Sequence, residues 1–366
     1  QMFGEDNEAT LTAKYNMAIF LRNEKKHDAA LELFNFVREK RKQLYGEIHP
    51  RTLSTYNSLA ILYKELQRYE EAEWHYMYAY EKQKVILGKH HPQTLVTCNN
   101  LGVLYKQQGK HERAREHLLS SIQGFTVLYV EEHSQVLQIK GIVADIYIQE
   151  EEYSKSENLL KDVIGKQEII LGNTHPEVLV NVARLSSLYR HQGKFVQAEP
   201  LYIRVLELRE EVFGTSHYKT VMAKRNLGVL YFSSKNYPKA EVIFLELYNY
   251  YKSEFGLYHK SFLSICEDIR EFFSEQEKYE QAILYGEEEA TASEKIYGKH
   301  HKKTTSTRYQ LAVYLRKQSK YIDSLQLFLQ VVESEKIIYG ENDTNLAMTY
   351  WNIALCYRKL EQYQQY

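Results

Sequence analysis

Between Thr94 and Gln108 the residues Leu95, Leu101, Gly102 and Tyr105 fall on one side of a helix, and Val96, Asn99, Asn100, Val103 and Lys106 fall on the opposing stripe. A short turn, QGKH, follows, and a second helical pattern runs from about Glu112 to Leu128. The same double pattern returns every 42 residues, so the chain reads as a series of helix pairs. Glycines mark the boundaries at Gly4, Gly46, Gly88, Gly172, Gly214, Gly256, Gly298 and Gly340, and the missing marker falls at Val130. This ruler predicts one array over residues 1–366, with repeats 4–45, 46–87, 88–129, 130–171, 172–213, 214–255, 256–297 and 298–339 and a partial ninth over 340–366.

The third residue after each marker is Asn7, His49, His91, His133, His175, His217, His259, His301 or Asp343. Asn and Asp favour helix N-caps, where a side-chain acceptor takes a free backbone N–H, so the histidines of this column are expected to cap as well. Pro50, Pro92 and Pro176 stand at the first helical position, which suits a residue without an N–H. The glycine suits a left-handed residue closing the preceding helix. The stretch LGKHHPQT therefore reads as punctuation rather than as a metal site, and no metal site is expected.

Small residues recur in mid-helix at Ala18, Ala60, Gly102, Ala144, Ser186, Gly228, Ala312 and Ala354, and early in the second helix at Ala30, Ala72, Ala114, Ala198, Ala240 and Ala282. They let neighbouring helices approach closely. Aromatic columns at Tyr63, Tyr105, Tyr147, Tyr189, Tyr231 and Tyr357, and at Tyr69, Tyr153, Phe195, Tyr237, Tyr279, Tyr321 and Tyr363, account for many of the 32 tyrosines as packing wedges. The seventh repeat departs from these columns. Arg270 replaces the small residue, Gly286 replaces an aromatic and Glu289 enters an apolar column, so this unit is expected to pack less well.

With 47 Lys plus Arg against 48 Asp plus Glu, no global field draws the chain to nucleic acid or to an anionic membrane. No apolar run approaches the ~20 residues of a membrane-spanning helix. Three cysteines without a CxxC fit a reduced, cytoplasmic protein. No GxxxxGK[ST], GxGxxG, HExxH or GxSxG occurs, so neither catalysis nor a cofactor is expected.

Segments such as HPRTLSTYNSLAILYKELQRYEEAEWHY and HPQTLVTCNNLGVLYKQQGKHERAREHL resemble the tetratricopeptide repeat of the kinesin light chain type. The resemblance covers the whole chain and implies an all-α fold, a right-handed superhelical α-solenoid of stacked antiparallel helix pairs whose first helices line a concave groove. The chain enters at the tail of a repeat, with Phe3 just before Gly4, and stops where a second helix should start, so it reads as a segment of a longer protein.

The stripe that would face such a groove holds Asn57, Lys64, Asn99, Asn100, Val103 and Lys106. Asn16 and Asn226 fall in register with Asn100, and Arg190 with Lys106. Mid-helix asparagine forms helix less readily than alanine by roughly half a kcal/mol. Its amide can pair with an extended peptide backbone of any sequence, and the neighbouring cation attracts a carboxylate. Similar asparagine and basic positions carry peptide binding in the resembled family, which implies that role for Asn57, Asn99, Asn100, Lys64 and Lys106. The alternative is that the asparagines bond to adjacent repeats and that the cations form a solvated face. Gly141 and Ala183 leave a barer wall, and Glu267 and Glu271 an acidic one. The expected function is a non-catalytic module that binds short peptide segments of partner proteins, as a scaffold or transport adaptor. The runner-up is a sensor region of a larger signalling NTPase.

Overall fold

A computed structural model describes residues 7–341 and 343–363. Among these there are seventeen α-helices and no strand. The first helices of the repeats are α1 (Glu8–Asn23), α3 (Pro50–Glu65), α5 (Pro92–Gln107), α7 (Ser134–Gln149), α9 (Pro176–His191), α11 (Tyr218–Ser233), α13 (Lys260–Glu275), α15 (Lys302–Lys317) and α17 (Thr344–Tyr363). The second helices are α2 (His27–Tyr45), α4 (Tyr69–Ile86), α6 (His111–Leu128), α8 (Tyr153–Leu171), α10 (Phe195–Phe213), α12 (Tyr237–Phe255), α14 (Tyr279–Tyr297) and α16 (Tyr321–Tyr339). Both sets start at intervals of 42 residues, as the ruler predicts. Phe3 and Gly4 lie outside the described residues, as does the side chain of Tyr363.

The capping column does what its chemistry suggests. Nδ1 of His49, His91, His133, His175, His217, His259 and His301 accepts the backbone N–H two residues on, at 3.1–3.3 Å. Asn7 and Asp343 do the same through Oδ1 at 2.8 Å. Several imidazoles also stack on the aromatic ring four residues earlier, His133 on Tyr129 at 4.2 Å between centroids and His301 on Tyr297 at 4.6 Å. The marker glycines from Gly46 to Gly340 take φ of 73–97°, in the left-handed region.

The turn inside each pair also requires a left-handed residue, which the glycine ruler does not reveal. Gly109 and Gly193 supply it in two repeats. Elsewhere Lys25, Gln67, Glu151, Lys235, Glu277 and Ser319 are held at φ of 57–61°.

The small residues sit where helices cross. Ala18, Ala60, Ala144 and Ala312 are fully buried, as are Ala30, Ala72, Ala114, Ala198, Ala240 and Ala282. A side chain on Gly102 would meet Leu118 Cγ at 2.6 Å. Each helix packs on the next in sequence from α1 to α9 and from α11 to α17, and the first helices of adjacent repeats also touch, as in α5 with α7 and α7 with α9. The helices group into two compact units, one ending at Leu201 and one beginning at Tyr202, and the division falls inside α10. In the first unit a continuous core runs from Ala18 to Ile146. In the second, Ala312, Phe328, Leu346, Ile353 and Cys356 form a core between α15, α16 and α17.

The seventh repeat corrects the expectation of poorer packing. Arg270 donates from Nε to Glu289 at 2.6 Å and from Nη1 to Tyr314 Oη at 3.0 Å. Glu289, fully buried, also accepts from Thr307 at 2.8 Å. Gly286 makes room for Leu311 and for the Arg270 stem: a Cβ there would lie 2.6 Å from Leu311 Cδ2 and 3.0 Å from Arg270 Cδ. The three departures are one compensated substitution, in which volume lost at residue 286 admits the Arg270 stem and the charge is matched at residue 289.

Candidate functional site

In the first unit the stripe is carried by α3 and α5 and continues onto α7 and α9. Asn57 Nδ2 donates to Thr97 Oγ1 at 2.6 Å, and Thr97 donates to Gln83 Oε1 at 2.7 Å. Half of the Asn57 amide therefore serves the joint between α3, α4 and α5. The other half does not. Oδ1 of Asn57 and Oδ1 of Asn99 are enclosed and have no hydrogen-bond partner among the described residues. These are equivalent atoms one repeat apart, and a buried acceptor left unpaired costs about 1–3 kcal/mol.

Lys64 lies about two turns along α3 from Asn57, half-buried, with no carboxylate within ion-pair distance among the described residues. Burial pulls its ammonium below the ordinary lysine range. Lys106, its equivalent on α5, is not free: it pairs with Asp145 on α7 at 2.6 Å. Asp145 also accepts from Arg184 Nε on α9 at 3.0 Å, and Arg184 Nη1 donates to Asn181 Oδ1 at 2.8 Å. Gly141 belongs to this chain of contacts, because a Cβ there would sit 2.4 Å from Asn181 Oδ1 and 2.7 Å from Arg184 Nη1. The wall expected to be bare at Gly141 is thus filled by Arg184.

The remaining stripe residues are placed differently. Asn100 is half-buried, and Val103 is half-buried against the core. Arg190 is half-buried beside His191, with Nη2 3.4 Å from Nε2. Asn16 is exposed on α1, and Asn226 is exposed on α11 in the second unit. There Arg225 pairs with Asp268 and Lys303 with Glu267, at 2.5 and 2.6 Å. Asn57 and Lys64 lie on α3 and Asn99, Asn100, Val103 and Lys106 on α5, with Asn16 on the neighbouring α1; Arg190 lies on α9 and Asn226 on α11, in the second unit.

Sequence reasoning missed Asp145 and Arg184, which join three repeats. It also missed a buried polar column that joins four of the second helices to the following first helix. Arg41 donates to Thr55 at 3.0 Å, Gln83 accepts from Thr97, Asn181 donates to Gln167 at 2.8 Å and Thr349 donates to Glu335 at 2.8 Å. The legible signal was a fixed separation of 14 residues between polar positions on otherwise apolar faces. Among the described residues no three His, Cys, Asp or Glu side chains cluster as metal ligands, and no helix is long and apolar enough to cross a membrane.

The family model of the tetratricopeptide repeat matches residues 9–84, 65–126, 177–253 and 304–365. No curated protein matches the chain. Among solved structures, the nearly identical TPR-like repeats of a kinesin light chain from Podosopora anserina align at 21% identity over 57% of this chain and 98% of that one, with a TM-score of 0.51. The apo quorum sensor NprR of B. thuringiensis aligns at 14% identity over 91% and 89%, with a TM-score of 0.65. A Rap protein complexed with competence and sporulation factor aligns at 12% identity over 97% and 99%, with a TM-score of 0.54. These likenesses concern the fold, an all-α helical repeat. With the family model matched over more than half its length, the chain belongs to the tetratricopeptide repeat family.

Proposed function

We propose that the first-helix stripe of the first unit binds an extended segment of a partner protein, and that the chain works as a non-catalytic scaffold or adaptor. The observation that carries this reading is the pair of enclosed, unpartnered Oδ1 atoms of Asn57 and Asn99. The helical stack uses the Asn57 Nδ2 group and makes no use of either carbonyl. A backbone N–H of a bound strand directed at either oxygen would relieve the unpaired acceptor. Lys64, desolvated and without a carboxylate, supplies a cation for an acidic side chain or a terminal carboxylate of the same segment. Lys106 contributes only when a ligand carboxylate competes with Asp145. The three buried free thiols, Cys98, Cys266 and Cys356, suit a reducing compartment such as the cytoplasm.

The test begins with capture of a partner by the intact chain and mapping of the bound segment. Titration calorimetry then compares that segment on the wild-type chain and on the Asn57→Ala/Asn99→Ala variant. Two lost hydrogen bonds predict a weakening of about tenfold or more. Unchanged affinity at unchanged helical content refutes the assignment.

A further inference from the structure

A cavity of about 240 Å³ lies between α15, α16 and α17, lined by Lys302, Ser306, Tyr309, Glu335, Tyr339 and Met348 among others. It is the size of a side chain rather than of a drug-like molecule. Glu335 is 7% exposed, and its Oε2 accepts from Thr349 Oγ1 at 2.8 Å. No lysine or arginine nitrogen lies within 4 Å of its carboxylate among the described residues. Burial pushes this carboxyl above the ordinary range, and the Asp343 carboxylate pushes in the same direction.

The chain itself shows that the charge is not needed for packing. Gln83 and Gln167 occupy the equivalent position in the second and fourth repeats, and each makes the same bond to the next first helix without a charge. At residue 335 the joint keeps its hydrogen bond and adds a buried anion that faces a cavity. Two tyrosine rings share that cavity, and one of them, Tyr339, already has the Lys302 ammonium 5.2 Å from its centroid. Carboxylate plus aromatic faces is the environment that holds an organic cation.

We infer that this cavity binds a guanidinium or primary ammonium group, held by the Glu335 carboxylate and flanked by Tyr309 and Tyr339. The group is either the side chain of a partner protein or a free small amine, since both present the same chemistry. Lys302 opposes a second cation and limits affinity. The site lies in the second unit and does not depend on Asn57 or Asn99.

The test titrates the wild-type chain with three probes, followed by NMR or calorimetry: free L-arginine amide, the capped tripeptide acetyl-Gly-Arg-Gly-amide, and capped norleucine amide. Saturable binding of the arginine probes without binding of the norleucine probe supports the site. Preference for the tripeptide identifies a partner's side chain as the source, and preference for the free amide identifies a small molecule. Glu335→Gln is expected to weaken binding at least tenfold while melting like the wild type, because Gln is already tolerated at this joint. Lys302→Met is expected to tighten binding severalfold. Absence of saturable binding up to millimolar probe, equal binding of the norleucine probe, or unchanged affinity in Glu335→Gln overturns the inference. The Asn57→Ala/Asn99→Ala variant should bind the arginine probes as the wild type does, so loss of the stripe and loss of this site are separable.

Discussion

Arg270 and Glu289 form a buried ion pair at 2.6 Å between α13 and α14, where the other repeats place a small residue and, except for Ser121, an apolar one. Glu289→Ala leaves the guanidinium buried without a counter-ion and should destabilise the chain by about 3–5 kcal/mol in urea unfolding. The triple variant Arg270→Ala/Gly286→Leu/Glu289→Val restores the pattern of the neighbouring repeats, with Leu standing where Leu118 and Leu160 stand. It should unfold within about 1 kcal/mol of the wild type or later, since apolar replacements of buried pairs are often neutral or stabilising. A triple variant as weak as Glu289→Ala would show that the three sites are not one compensated unit.

The turns inside the helix pairs store strain that can be removed. Gln67 and Glu277 hold left-handed backbone at φ of 60° and 57°. A side-chain-bearing residue pays about 1–2 kcal/mol there, and glycine recovers part of that after its own entropy. Gln67→Gly or Glu277→Gly should therefore raise stability by roughly 0.5–1 kcal/mol, whereas Gly109→Ala should lower it by a similar amount. Thermal melts of the three variants give the sign directly.

Histidine caps should behave as caps do in general. His91→Ala should lose about 1 kcal/mol, and His91→Asn should stay within a few tenths of the wild type. His133→Ala should cost more than His91→Ala by about 0.5 kcal/mol or more, because the His133 ring also stacks on Tyr129, while Leu87 precedes His91. Equal losses at the two positions would remove the stack from the account.

The boundary without a glycine carries a surface ion-pair cluster. Glu131 accepts from Lys140 at 2.5 Å and from Lys166 at 3.1 Å, and these contacts, that of Lys140 first, hold its carboxyl down to about 2. A carboxyl whose pKa is depressed by folding stabilises above its unfolded pKa, near 4.5, and that contribution fades as pH falls toward about 2. The wild type should therefore melt above Glu131→Gln at pH 6, and the gap should close on acidification from about 4.5 downward. A gap independent of pH contradicts the ionic explanation. Val130 does not adopt the left-handed backbone of the marker glycines, so Val130→Gly should lower stability by up to about 1 kcal/mol rather than raise it.

The helix pairs, their caps and their crossing points were legible because each recurs at the same place in every unit. Asn7 and Asp343 disclosed the role of the histidines between them, and Ala18 and Gly102 disclosed where backbones approach. What repetition cannot disclose is a departure whose compensation lies elsewhere in the chain. Arg270 finds Glu289 across 19 residues, and Lys106 finds Asp145 across 39. Neither pairing has a counterpart in the other repeats to point to it. The positions of the stripe follow from helical spacing, but the hydrogen-bond partner of each side chain does not. Asn57 serves both the stack and an open acceptor, and only geometry separates its two halves.

The polar couplings between Arg41 and Thr55, Gln83 and Thr97, Asn181 and Gln167, and Glu335 and Thr349 differ in chemistry from joint to joint. The modules therefore carry an address. Excising residues 88–129 in register would set Gln83 opposite Ile139 and strand its amide in a dry seam. Duplications and deletions of whole modules, though silent in helix length and phase, are filtered by whether each new neighbour answers the old one's donor or acceptor.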